Sequence, residues 1–305
     1  MSNPATESAL LSIRPTDFAL FRSLIHKHAG IWVRDGKQTM LASRLARRLR
    51  VHGMSDFGEY YRFVANCGDG DEELAALINC VTTNKTAFFR ENHHFEFLSN
   101  VVVPESVART DIAPASGNST NVSFQNKTVR VWSAACSTGE EPYSIAITLL
   151  EAKQRLRGAA SGALDIHVVA SDIDTDVLGK AARGVYNQEE LEDIDPTLHK
   201  KYFLRGKDDM SGQFKVKSHV ASLVNFQRIN LMDRSWPVSG PFDAIFFRNA
   251  LIYFQQDIQD VFLRRMVRYL KPGGYLFLGH SEHIPWLHSI LEPLHQTVFR
   301  LRGEE

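Results

Sequence analysis

The 305-residue sequence has little cysteine, no net charge and no long apolar run, and each absence removes a class of function. The three cysteines, Cys67, Cys80 and Cys136, are too few and too irregularly spaced for a disulfide framework or a zinc site, and they read as reduced thiols. Lys and Arg number 35 against 35 Asp and Glu, so no overall field steers the chain to nucleic acid or to a membrane. No apolar stretch approaches the ~20 residues that cross a bilayer. The first residues carry Asn3, Pro4 and Glu7 in place of an apolar signal core. The expectation is a soluble, cytoplasmic, metal-free monomer with no nucleic-acid partner and no membrane insertion. Internal repeats are lacking too. Glycine is scarce even in the one loop where a nucleotide site would want it: Gly139 is the only glycine between Val129 and Ser144.

What is present falls into two patterns. From residue 12 to about 97 the apolar residues recur at helical spacing. Phe18, Phe21, Leu24 and Ile25 share one face, and Leu41, Leu45 and Leu49 share another on a helix expected over Gln38–Val51. Shorter helices are expected over Phe57–Ala65 and Glu72–Val81. Residues 1–66 hold ten Lys/Arg against five Asp/Glu, and Arg44, Arg47, Arg48 and Arg50 lie beside or opposite the leucine stripe. From Val129 onward apolar runs alternate with helical stretches, which predicts a parallel sheet covered on both faces. The strands expected are Val129–Ser133, Ile166–Ser171, Val224–Ile229, Phe242–Phe247 and Tyr275–Leu278. A closing antiparallel pair is expected at the end of the chain. Lys201–Arg205 and Gln213–Lys217, joined by a Gly/Asp/Ser turn, read as a hairpin with Phe214 and Val216 on its apolar face. The domain organisation that follows is a helical domain over 1–100, a linker over 101–128 and an α/β domain over 129–305, with a β insert at about 198–220. The linker is rich in Ser, Asn and Thr from Arg109 to Thr128.

The chemistry-bearing stretch is Arg130-Val-Trp-Ser-Ala-Ala-Cys-Ser-Thr-Gly-Glu-Glu-Pro-Tyr-Ser144. An apolar strand enters a loop of small residues, and Pro142 suits the first turn of the helix that follows. A second strand ends in Asp172. A close-approach loop after one strand and a carboxylate after the next are the parts of an α/β site for an adenosine-containing ligand, the carboxylate accepting from ribose hydroxyls. Asp172 has a plainer reading as a helix cap, and Arg248 as the partner of a carboxylate. His93-His94 cannot share one helix face, and no further ligand lies at metal spacing nearby.

Several runs occur in a fixed order: Thr86-Ala-Phe-Phe-Arg90, Ser137-Thr-Gly-Glu-Glu141, Ser171-Asp-Ile-Asp174, Phe242-Asp-Ala-Ile-Phe-Phe-Arg-Asn249, Leu270-Lys-Pro-Gly-Gly274 and Gly279-His-Ser-Glu282. In this order they resemble the CheR family of chemotaxis-receptor methyltransferases over nearly the whole chain. The resemblance implies a class I S-adenosylmethionine-dependent methyltransferase fold: Rossmann-like, mostly parallel, with an N-terminal all-α domain and a small antiparallel β insert. It implies S-adenosylmethionine as cofactor, S-adenosylhomocysteine as product, and glutamate side chains of chemoreceptor cytoplasmic domains as acceptors. The cofactor contacts it implies fall on Asn84, Thr86, Arg90, Glu140, Asp172, Asn230, Leu231, Arg248 and Asn249. Arg90 and Tyr253 are implied to orient the substrate carboxylate, with a core aromatic as the plainer reading of Tyr253. Arg44, Arg47, Arg48 and Arg50 are candidates for docking onto an acidic receptor bundle, against a plain solvated face. The β insert is a candidate for binding a receptor's C-terminal tail. Two other functions stay open at this point: a cofactor-binding scaffold without turnover, and methylation of a nucleic acid or amide. The Arg248-Asn-Ala-Leu251 run after the fourth strand argues against the latter.

Overall fold

The structure, a computed structural model, describes residues 12–68, 71–110, 127–156 and 164–303. Four helices open it: α1 (Pro15–Ala29), α2 (Gln38–Val51), α3 (Phe57–Ala65) and α4 (Glu72–Val81). Pro15 occupies the first turn of α1, and Gly30, at φ 71°, ends it in the left-handed region. Asp56 and Asp71 cap α3 and α4 through their side chains. The apolar stripes meet as expected, with Phe21, Ile25, Leu41, Leu45, Leu49, Tyr60 and Leu77 enclosed in one core.

One carboxylate sits at the edge of that core. Glu73 accepts from Arg48, from Tyr60 Oη at 2.6 Å, and lies 2.7 Å from His52 Nε2. Burial works upward on its pKa, but Arg48, Tyr60 and His52 together hold it below the ordinary carboxylate value. Arg48 is therefore an internal partner. Glu73 is buried and Arg48 half-buried, so removing Arg48 would leave a buried carboxylate without its cation.

After the loop 82–92 the chain forms a continuous helical rod. It comprises α5 (His93–Phe97), a π turn (Leu98–Val102) and α6 (Val103–Thr110). Phe88, Phe95, Leu98, Val102 and Val103 share a core with Val129, Val131 and Phe246 of the sheet. By packing, the chain therefore divides near residue 82 instead of at the expected 100, and 101–110 is helix where linker was expected. Residues 111–126 of that expected linker lie outside the described residues.

The α/β part contains β1 (Lys127–Ala134), α7 (Glu140–Arg155), β2 (Leu164–Asp172), α8 (Thr175–Arg183), β3 (Val185–Asn187), α9 (Pro196–Tyr202), β4 (Phe203–Arg205), β5 (Gln213–Val216), α10 (Ser218–Ala221), β6 (Val224–Arg228), β7 (Phe242–Phe247), α11 (Gln256–Met266), β8 (Leu270–Leu278), β9 (Leu291–His295) and β10 (Val298–Leu301). The main sheet has the order β6-β2-β1-β7-β8-β10-β9. Its first five strands are parallel, and the terminal β9–β10 pair is antiparallel. All six residues of β7 are buried, as in a strand covered on both faces, and its one charged residue, Asp243, is paired with Lys271 at 2.8 Å. The expected hairpin forms as β4 and β5, but β3 joins it to make a three-stranded antiparallel sheet, β3-β5-β4. Strand building moves outward from β1 to β2 and β6, then reverses to β7. The reversal leaves a crevice between the carboxyl ends of β1 and β7, where open α/β sheets take their ligands.

Candidate functional site

Three strand ends and one loop of the helical part surround that crevice. The loop after β1 makes room by adopting left-handed backbone at residues other than glycine: Ala135 at φ 59° and Ser137 at φ 52°. Gly139, at φ 98°, is needed for a second reason. A Cβ there would stand 2.8 Å from both Ala181 Cβ and Tyr186 Oη, so α8 and β3 press the loop into place. Cys136 is buried, and burial pushes its thiol well above the ordinary value, which suits a packing residue.

Asp172, at the end of β2, receives Ser137 N on Oδ2 at 2.8 Å and Asp174 N on Oδ1 at 3.0 Å. Each oxygen keeps a lone pair for a further donor. Burial is the main force on this carboxyl and raises its pKa from 3.8 to about 6. The helix cap is Asp174 instead: its Oδ1 accepts from Asp176 N and Val177 N. Its Oδ2 accepts from Thr82 Oγ1 at 2.6 Å and Asn84 Nδ2 at 2.8 Å, tying the interdomain loop to β2. Asp174 was not among the expected site residues. Its capping position before Thr175-Asp-Val was the available signal.

One cavity is lined by Asn84, Thr86, Arg90, Asp172, Arg248, Asn249 and Tyr253. An adjoining apolar cavity is lined by Asn230 and Leu231 with Ile31, Asp172 and Phe254. The corrections are specific. Glu140 is absent from the lining of either cavity, and its carboxylate accepts from Thr138 Oγ1 at 2.7 Å. Glu141 lines the cavity in its place, because successive residues on a helix point about 100° apart. The Asn230 amide is engaged within the protein, donating to His28 O at 2.7 Å and accepting from Met232 N at 3.0 Å. Arg44 donates to Val81 O, Thr82 O and Thr83 Oγ1 at 2.5–3.1 Å, closing the end of α4 and anchoring the loop that carries Asn84. Of the four docking candidates, Arg47 and Arg50 are exposed, whereas Arg44 and Arg48 are half-buried and internally bonded.

Arg248 is buried at the base of the cavity. Its Nη1 meets Glu141 Oε2 at 3.0 Å, and its Nη2 meets Glu91 Oε2 at 3.1 Å and also donates to the carbonyl of Arg90. Arg248 is thus the carboxylate partner of its plainer reading, twice over, while still lining the cavity. Burial raises Glu141 despite Arg248 and Ser133. Burial also works upward on Glu91, but Arg248 and the His280 amide bring its pKa below normal. The neighbouring His94 is fully enclosed; burial first, then the charge of Arg248, lowers its pKa to about 3 and keeps it neutral. Phe89 and Glu91, at φ 51° and 59°, are strained as well, so the loop that presents Arg90 is held against its own preference. Among the described residues no group of three or more His, Cys, Asp or Glu has a metal-binding arrangement, and no helix is long and apolar enough to cross a membrane.

The strand order, the ribose-type carboxylate and the cleft at the switch point define an α/β enzyme built to hold an adenosine-bearing ligand. The family model for the CheR methyltransferase SAM-binding domain matches residues 84–299, and that for the CheR methyltransferase all-alpha domain matches residues 16–82. The chain is 42% identical over 291 residues to the chemotaxis protein methyltransferase of Escherichia coli K12, covering 95% of this chain and 92% of that protein. It is 42% identical over 295 residues to the protein of the same name from Salmonella typhimurium, covering 97% and 93%. It is 40% identical over 285 residues to chemotaxis protein methyltransferase 2 of Pseudomonas aeruginosa, covering 93% and 92%. The chain belongs to the CheR methyltransferase family and is an S-adenosylmethionine-dependent methyltransferase of chemotaxis.

Proposed function

We propose that the acceptors are glutamate side chains of chemoreceptor cytoplasmic domains and that the product is a methyl ester. The observation that carries this reading is the pairing of Arg90 and Tyr253 on one cavity that also contains Asp172. A guanidinium and a phenol are donors suited to a carboxylate, and a carboxylate is ionised at neutral pH without help from a base. When bound, S-adenosylmethionine supplies a methyl group on a sulfonium leaving group. The work left to the chain is positional. Asp172 holds the ribose hydroxyls, and Glu141, in place of Glu140, accepts from the ammonium group. Asn84, Thr86 and Asn249 complete the polar lining, and Leu231 offers an apolar face beside the backbone of Asn230. Arg90 and Tyr253 aim the acceptor oxygen.

Receptor docking falls to Arg47 and Arg50 on the exposed side of α2, where a basic surface speeds encounter with an acidic helix bundle. The edge strand β4, with Leu204 55% exposed, suits addition of a receptor tail as a further strand. The test is incubation with S-adenosylmethionine and a receptor cytoplasmic fragment, followed by peptide mass spectrometry. One methyl group per modified glutamate is expected, and methylation confined to Lys, Arg, Gln or a nucleic acid would overturn the reading.

A further inference from the structure

The run Gly279-His-Ser-Glu282 touches neither cavity, yet it lies directly under the turn that carries Tyr253. Glu282 is 3% exposed. Its Oε2 receives Gly279 N at 2.6 Å and Asn249 N at 2.9 Å. Its Oε1 is buried without a partner of hydrogen-bonding geometry. The same contact explains Gly279: a Cβ there would stand 2.3 Å from Asn249 Nδ2 and 2.7 Å from Asn249 N. The ends of β7 and β8 therefore meet backbone to backbone, with Asn249 in the left-handed region at φ 57°.

The turn's carbonyls are pinned from elsewhere. Gln259 Nε2 donates to Leu251 O at 2.9 Å and Phe254 O at 3.0 Å, and Trp32 N donates to Tyr253 O at 2.8 Å. Its first amide, Asn249 N, rests on the Glu282 carboxylate. A carboxylate takes this amide and that of Gly279 in charge-assisted bonds, whereas a glutamine of equal size offers them only a neutral oxygen and places an NH2 group where the enclosed Oε1 stands.

We propose that Glu282 is a positioning residue for methyl transfer, holding the 249–253 turn from below and so setting where the Tyr253 hydroxyl stands in the cavity. The proposal rests on the reading in which Tyr253 orients the acceptor. The test is a double-mutant cycle on receptor-fragment methylation, with wild type, E282Q, Y253F and the double variant, and with thermal unfolding as a control for folding. E282Q is expected to lower kcat about tenfold or more, with a much smaller change in KM for the receptor fragment. The double variant is expected to be about as slow as the slower single variant, because both changes remove one function. E282D keeps the charge but withdraws it by one methylene, and an intermediate kcat is expected. If E282Q does not fold, E282D combined with Y253F carries the same cycle. A slow Y253F with an unimpaired Glu282 variant, or with effects that multiply, overturns the proposal alone. A Y253F variant as fast as wild type overturns the reading of Tyr253 itself, whatever E282Q does.

Discussion

Replacing Arg248 with methionine is expected to cost about 3–5 kcal/mol of stability, because Glu91 and Glu141 would then face each other in the interior without their cation. Few single changes do as much, and in a protein of ordinary stability, about 5–15 kcal/mol, the loss is about a fifth or more of the total. Arg248 joins two other parts of the chain: the start of α7, through Glu141, and the strained loop, through Glu91 and the carbonyl of Arg90. Activity should fall with stability, since the carbonyl that fixes Arg90 loses its donor. Urea unfolding of R248M, E141Q and the double variant separates the causes. The double variant should be markedly more stable than the sum of the single effects predicts, because the second change removes one of the stranded charges. An R248M variant within about 1 kcal/mol of wild type would show that the cluster is wet and weakly coupled.

Asp172→Ala is expected to weaken binding of S-adenosylhomocysteine by about 10²- to 10⁴-fold, since two hydrogen bonds to a charged acceptor contribute about 1.5–3 kcal/mol each. The pH dependence gives a sharper signature. The folded-state pKa of Asp172 is raised from 3.8 to about 6, so before ligand binds its contribution to folding is fully present below about 4 and is lost as pH rises through 6. On the proposed role of Asp172, ribose hydroxyls bond to the charged form, and binding then releases the proton. Affinity should therefore be flat above pH 6 and fall by about tenfold per pH unit below it. Calorimetry in two buffers of different ionisation enthalpy would detect proton release near pH 6. Asp172→Asn should bind weakly at every pH and lose this slope. An unchanged slope in D172N would assign the proton to another group.

Much of the architecture was legible because it is periodic. The helix expected over Gln38–Val51 appears with those bounds, and so do Phe57–Ala65 and Glu72–Val81. The buried run Phe242–Phe247 is β7. What escaped is short or tertiary. β3 has three residues and no period to read. The division near residue 82 depends on Phe88 and Phe95 joining the sheet's core, although local spacing makes the stretch look like more of the helical domain.

The placement of the candidate site residues divides along the same line. That Asp172, Arg90 and Arg248 line one cavity was legible because each stands at a strand end or in a dense motif. Arg44 and Arg48 read as a basic surface because their partners, the end of α4 and Glu73, are 25 to 39 residues away. The capping role of Asp174 is written locally, but its grip on Asn84 spans 90 residues. Glu140 and Glu141 are chemically identical neighbours, and only the orientation of the helix they open decides which one faces the cavity.

The most direct test of the account is the chemistry of the transferred methyl group. Labelled S-adenosylmethionine, the protein and a receptor cytoplasmic fragment should give a protein-bound label that mild alkali releases as methanol, the behaviour of a carboxylate ester. A label that resists alkali would place the methyl on nitrogen or carbon and would contradict the assignment of Arg90 and Tyr253 to a carboxylate acceptor.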